Sequence, residues 1–201
     1  MVQIKVDIAA RKNYGNRRKT KDIKYLVIHY TGNDGDSAKG NANYFKTHIV
    51  EASAHYFVDD NGIIQSVPDD FAAYSVGGKK YPSCGKTGGG RFYGKCTNEN
   101  SINVELCDTR KNGKFDFSEE TLDNAADLCR VLLKKYNISV DNIIRHFDVT
   151  GKNCPAPFVS DGKAWEAFQE RIVDEVKYYE EKKDVPKWAQ PMVQDMIDKG
   201  C

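Results

Sequence analysis

The feature that most constrains this chain is a single apolar stripe. Between Ser118 and Tyr136, the residues Leu122, Ala125, Ala126, Cys129, Leu132, Leu133 and Tyr136 recur at helical spacing on one face. Ser118 stands where an N-cap belongs, and Glu119 and Glu120 complement the positive end of the helix dipole. A stripe of that length must be covered by something broad. The chain offers short runs rich in β-branched and aromatic residues: Lys24 to Tyr30, His55 to Val58, Ile63 to Val67, Ser101 to Cys107 and Asn142 to His146. Asp59-Asp60-Asn61-Gly62 between the second and third of these predicts a tight hairpin turn. A second apolar face, Trp165, Phe168, Ile172, Val176 and Tyr179, predicts another helix, and Ser37 to His48 has helical composition. Strands alternating with helices predict an α/β fold, a sheet covered by helices.

With 201 residues, 40% hydrophobic and 29% charged, the chain has the substance for one ordinary core. No apolar run approaches the roughly 20 residues a membrane-crossing helix needs. A formal net charge of +1 argues against a dedicated nucleic-acid binder. Seven Lys or Arg lie between Arg11 and Lys24, and the first 22 residues are expected to form a basic arm on the surface of the domain. Gly77 to Asn100, with seven glycines, is expected to be a long loop. Glu180 to Pro186 reads as a solvated linker. Beyond it Trp188, Met192, Val193, Met196 and Ile197 keep helical spacing in a tail too short to fold alone. That tail would dock on the body, self-associate with a second copy, or open a further module.

Six cysteines are too few for a disulfide scaffold, and no CxxC pair occurs. Cys84 and Cys96 are expected reduced, since Met1 to Lys12 lacks the apolar stretch of an export signal. Two of the four histidines, His29 and His146, close strand-like runs where side chains point into crevices, and Cys154 follows His146 by eight residues. Two imidazoles and a thiolate give zinc three protein ligands and leave a fourth position open, the pattern of a catalytic metal. Glu105, an acid in an apolar strand, is the candidate for proton transfer, and Lys152 the candidate for stabilising a negative oxygen. His55 reads either as a substrate contact or as a satisfied core histidine. Tyr30 and Tyr93 are further substrate-contact candidates.

Four stretches in this order, IKYLVIHYTGN, SAHYFVDDNGIIQSV, TNENSINVELC and IIRHFDVTGKNCPAPF, resemble the zinc N-acetylmuramoyl-L-alanine amidases of type 2, which include phage endolysins and peptidoglycan-recognition proteins. The resemblance implies a mixed central sheet flanked by helices over residues 23–179, with a short helical tail over 180–201. It implies one zinc ion on His29, His146 and Cys154, with Glu105 as acid/base and Lys152 as oxyanion stabiliser. The implied reaction is hydrolysis of the amide between N-acetylmuramic acid and L-alanine in peptidoglycan. A chain made in the cytoplasm without a leader would suit an endolysin that reaches the wall through a separately made membrane hole; an autolysin is the alternative. Many relatives carry a Trp-His pair where this chain has Tyr74-Ser75. Two other activities fit the same residues: a peptidoglycan-binding module without catalysis, and a zinc peptidase cutting within the stem peptide.

Overall fold

The computed structural model describes residues 3–180, with side chains to residue 173. The expected linker, the tail helix around Met192 and its self-association lie outside the described residues. In chain order the elements are β1 (Ile4–Val6), β2 (Tyr14–Arg17), β3 (Tyr25–Asp34), α1 (Ala38–Thr47), β4 (Tyr56–Asp59), β5 (Gly62–Gln65), β6 (Phe71–Ala73), α2 (Cys84–Thr87), β7 (Ser101–Lys111), β8 (Lys114–Asp116), α3 (Glu119–Tyr136), β9 (Ile143–Arg145), α4 (His146–Thr150), α5 (Ala156–Ser160) and α6 (Gly162–Glu180). The main sheet runs β1-β5-β4-β7-β3-β9, with β8 paired to β7, and β2 and β6 form a separate ribbon. Pairing is parallel for β1 with β5, β4 with β7, β7 with β3 and β3 with β9; β4 with β5 is the expected antiparallel hairpin. The sheet is therefore mixed, and no described helix is long and apolar enough to cross a membrane.

Alternation along the central strands sorts the sheet into two unlike faces. Leu26 and Ile28 of β3, with Ile102, Val104 and Leu106 of β7, join the main core with the stripe of α3 and with Phe168 and Ile172 of α6. Leu128, Leu132 and their neighbours are essentially inaccessible, each contributing about 2 kcal/mol through burial. Ser118 caps α3 as expected, accepting from the Thr121 N–H at 3.1 Å. The other face carries two small clusters with a gap between them. In one, Phe57, Ile64 and Cys107 pack under Ala38 and Ala42 of α1; in the other, Val27 and Ile144 pack under Val76, Cys96 and Val149.

The basic stretch packs on the domain through its backbone while most of its charges face solvent: β1 adds an edge strand beside β5, β2 pairs with β6, and the Arg18 guanidinium donates inward to the carbonyls of Asp69, Asn98 and Ser101, with the other Lys and Arg exposed. Gly77 to Asn100 is not free loop. It holds α2, and the N–H groups of Tyr81, Gly90 and Phe92 donate to the carbonyls of Thr150, Phe147 and Asp148 at 2.8–3.0 Å. Its glycines permit that contact, because a Cβ on Gly89 would press within 2.9 Å of Gly151 and Phe147. After β9 the chain forms the short helices α4 and α5.

Candidate functional site

The site occupies the gap between the two small clusters. His29 and Glu105 are register partners in the parallel pair β3–β7, so both side chains rise from the same face. His146 opens α4 immediately after β9, the strand that flanks β3 on its other side. Arg145 and Asp148 hold that helix start: the Asp148 carboxylate accepts from the Arg145 backbone N–H at 2.9 Å and from its guanidinium at 2.9 and 3.0 Å. Gly151, at φ +85°, ends the helix and turns the chain toward Cys154, whose carbonyl accepts from the Phe147 N–H at 2.8 Å.

These supports bring three donor atoms together across 125 residues of chain. Ligand atoms of His29, His146 and Cys154 all lie within 4.8 Å of one another, and no other such trio of His, Cys, Asp or Glu occurs among the described residues. All three side chains are buried. Cys154 Sγ stands 3.7 Å from His29 Nδ1, and the two imidazoles meet edge to face at 4.8 Å. His29 Nε2 faces Asn103 Oδ1 at 3.0 Å, while His146 Nδ1 is buried without a hydrogen-bond partner.

The electrostatics fit a cation. Burial drives His29 down to about 4 despite its bond to Asn103, and Lys152 adds to the fall. Burial drives His146 to about 2, with His29 and Lys152 contributing. Both rings are neutral and free to donate a lone pair. Burial pushes the Cys154 thiol up to about 12, chiefly because the pocket by itself offers a thiolate little compensation. Two neutral imidazoles, one orphaned ring nitrogen and a thiol starved of positive charge form a donor set suited to zinc.

Glu105 Oε1 lies 3.8 Å from His29 Nδ1, its side chain 20% exposed, and its Oε2 is buried with no partner. Burial raises Glu105 to about 8, opposed by the charge of Lys152. Lys152 is exposed at the mouth, and its charge is felt by Glu105, both imidazoles and Cys154. Glu105, Lys152 and the two imidazoles line a crevice of about 210 Å³ whose other walls include Thr31, Asn41, Phe45, Ser53, Tyr74 and Ser75. A groove of about 470 Å³ adjoins it, sharing Ser75, His146 and Lys152 and adding Lys79, Lys80 and Tyr81.

The remaining sequence candidates fall elsewhere. His55 does not line the crevice: it is fully buried, its Nδ1 accepting from the Asn103 N–H at 3.0 Å and its Nε2 facing the Phe71 carbonyl at 3.0 Å. A histidine with both nitrogens engaged in the interior is the satisfied core residue. Tyr30 packs edge to face on Phe115, and Tyr93 is 44% exposed; neither ring lines the crevice. Sequence reasoning missed Asn103, for which the signal was the alternation Ser101, Asn103, Glu105 within a strand otherwise apolar. Among the described residues, Cys84, Cys96, Cys107, Cys129 and Cys154 are buried and unpaired with one another.

Residues 19–157 match the family described as N-acetylmuramoyl-L-alanine amidase. A Bacillus licheniformis protein named probable N-acetylmuramoyl-L-alanine amidase is 38% identical over 156 residues, 75% of this chain and 41% of its own length. N-acetylmuramoyl-L-alanine amidase CwlL of the same organism is 36% identical over 161 residues, 77% of this chain and 42% of its own. The chain thus spans about two fifths of the length of these curated relatives. Among solved structures, the PlyG catalytic domain superposes with a TM-score of 0.66 at 29% identity, covering 86% of this chain and 94% of that one. The catalytic domain of XlyA superposes with a TM-score of 0.64 at 27% identity, covering 85% and 99%.

Proposed function

This chain belongs to the N-acetylmuramoyl-L-alanine amidase family, and on that premise we propose that it hydrolyses the amide joining the lactyl group of N-acetylmuramic acid to L-alanine in peptidoglycan. The residues we assign to one zinc ion are His29, His146 and Cys154. The observation that carries the reading is the convergence of those three buried donors beside a carboxyl with a free oxygen. Zinc, when bound, supplies Lewis acidity that makes water nucleophilic near neutral pH and polarises a carbonyl.

The protein's own residues divide the rest of the work. Glu105 takes a proton from the attacking water at Oε2 and delivers it to the leaving nitrogen. An ordinary carboxylate is too acidic for that delivery at neutral pH, and burial that lifts Glu105 to about 8, checked by Lys152, brings it into range. Lys152 presents its ammonium to the negative charge that grows on the carbonyl oxygen. The crevice admits the lactyl amide, and the adjoining groove with Lys79, Lys80 and Tyr81 gives the rest of the substrate a path away from the reacting bond. The chain acts at the cell wall, as an enzyme of the endolysin or autolysin kind.

Metal content measured together with cleavage of purified walls tests this, for the parent and for Cys154→Ser. The parent is expected to hold one zinc and to release peptides with new L-alanine amino groups and intact sugars; the variant loses both metal and cleavage. New amino groups on any other residue would mark a peptidase. Full activity after exhaustive chelation removes the metal from the reaction.

A further inference from the structure

We propose that Asn103 is the positioning residue that presents His29 to the metal, its own orientation dictated by a one-way chain of hydrogen bonds anchored on the Thr97 carbonyl. The inference rests on the assignment of His29 as a ligand and goes beyond it to how the ring is prepared before metal arrives.

A backbone carbonyl can only accept. The Ser101 hydroxyl lies 2.7 Å from the Thr97 carbonyl oxygen, so its single proton is committed there. Toward Asn103, 3.1 Å away, Ser101 Oγ is therefore an acceptor, and the amide must turn its NH2 to it. That leaves Asn103 Oδ1 facing His29 Nε2 at 3.0 Å. An amide oxygen accepts, so the proton of the neutral ring sits on Nε2, and Nδ1 carries the lone pair toward Cys154 Sγ, 3.7 Å away. With the amide reversed, its NH2 would meet Nε2, the ring proton would move to Nδ1, and the lone pair would point away from the other two ligands.

Asn103 and Ser101 are both completely buried, so no solvent competes for these bonds. The backbone N–H of Asn103 is taken as well, by His55 Nδ1, which fixes the residue from a second side. The sheet makes the arrangement available: Ser101, Asn103 and Glu105 alternate along one face of β7, and Asn103 lies diagonally across from His29, the register partner of Glu105. A partner that holds the second nitrogen of a ligating histidine is commonly worth about 10- to 100-fold in metal affinity.

The test combines zinc titration against a competing chelator with ring 15N shifts of His29 in the metal-free protein, for the parent, Asn103→Leu, Asn103→Asp and Ser101→Ala. The parent is expected to show the Nε2–H tautomer alone. Asn103→Leu is expected to mix tautomers and to bind zinc about 10- to 100-fold more weakly. Asn103→Asp keeps an acceptor and should stay near the parent in both readouts, while Ser101→Ala, which frees the amide to reverse, falls between. Zinc affinity equal to the parent in Asn103→Leu, or mixed tautomers in the parent, overturns the proposal. If Asn103→Leu does not fold, parental tautomer and affinity in Ser101→Ala overturn it instead. A parent that binds no zinc disposes of the ligand assignment separately, and the 15N readout still decides the role of Asn103.

Discussion

Two buried polar clusters share this fold and differ in one respect. Around Asp69, every oxygen is spoken for: Oδ1 accepts from the Tyr56 hydroxyl at 2.7 Å and Gln65 at 3.1 Å, and Oδ2 from Lys135 at 3.0 Å and the Tyr136 hydroxyl. Burial alone would raise Asp69, but hydrogen bonds from Tyr136, Tyr56 and Lys135 outweigh it and hold the carboxyl below its usual value. In the crevice, Glu105 Oε2 and His146 Nδ1 are buried with no partner, and burial lifts Glu105 to about 8 even against the charge of Lys152. The same kinds of residue are completed in one place and left incomplete in the other. Completion stabilises; incompletion prepares a site for something that arrives later.

The largest effect should come from Glu105→Gln. Wall cleavage is expected to fall about 100- to 10,000-fold with zinc content unchanged. Near-parental turnover would show that the unpartnered oxygen is not part of the chemistry. Next, Asp69→Ala leaves the Tyr56 hydroxyl proton buried without its acceptor, with Gln65 still donating to the oxygen, and should cost about 2–3 kcal/mol in urea unfolding, while turnover per folded molecule stays parental. A stability loss in Glu105→Gln as large as in Asp69→Ala would erase the distinction between the clusters.

A smaller effect appears in pH dependence. His55, fully buried, is lowered to about 3, first by burial and then by Arg18, against 6.5 for an unfolded histidine. Between those values the unfolded chain binds the extra proton, so stability is full above about pH 6.5 and declines as pH falls through the window. Replacing it in His55→Gln should reduce the slope of unfolding free energy by up to about 1.4 kcal/mol per pH unit below pH 6. An unchanged slope would mean that this ring is not held neutral. Smallest is Asp70→Ala. Next in sequence to Asp69, Asp70 makes a surface pair with Arg17, which is 74% exposed, and its loss should register below about 1 kcal/mol.

Much of this was legible in the residues because it depended on local pattern. The stripe from Leu122 to Tyr136, its Ser118 cap and the Asn61-Gly62 hairpin carry periodicity or turn chemistry within a dozen neighbours. The trio of His29, His146 and Cys154 was visible through the chemistry of its side chains, though only the fold brings them together. What escaped depended on distant pairing. Ile4–Val6 is three residues long and becomes a strand only because β5 offers an edge, and Arg18 looks like any surface cation until its carbonyl acceptors are in place. His55 could not be assigned from sequence, since the Asn103 N–H and Phe71 carbonyl that satisfy it lie 48 and 16 residues away. The glycine-rich stretch concealed its work too, bracing α4 through backbone atoms that any sequence possesses.

The parallel pairing of β3 with β7 and β9 also has a consequence in time. A ribosome finishes His29 long before Glu105, and Glu105 long before Cys154, and no hairpin can join parallel neighbours early. The proposed centre is therefore assembled only once the strand leading into His146 and the turn carrying Cys154 have been added beside the first.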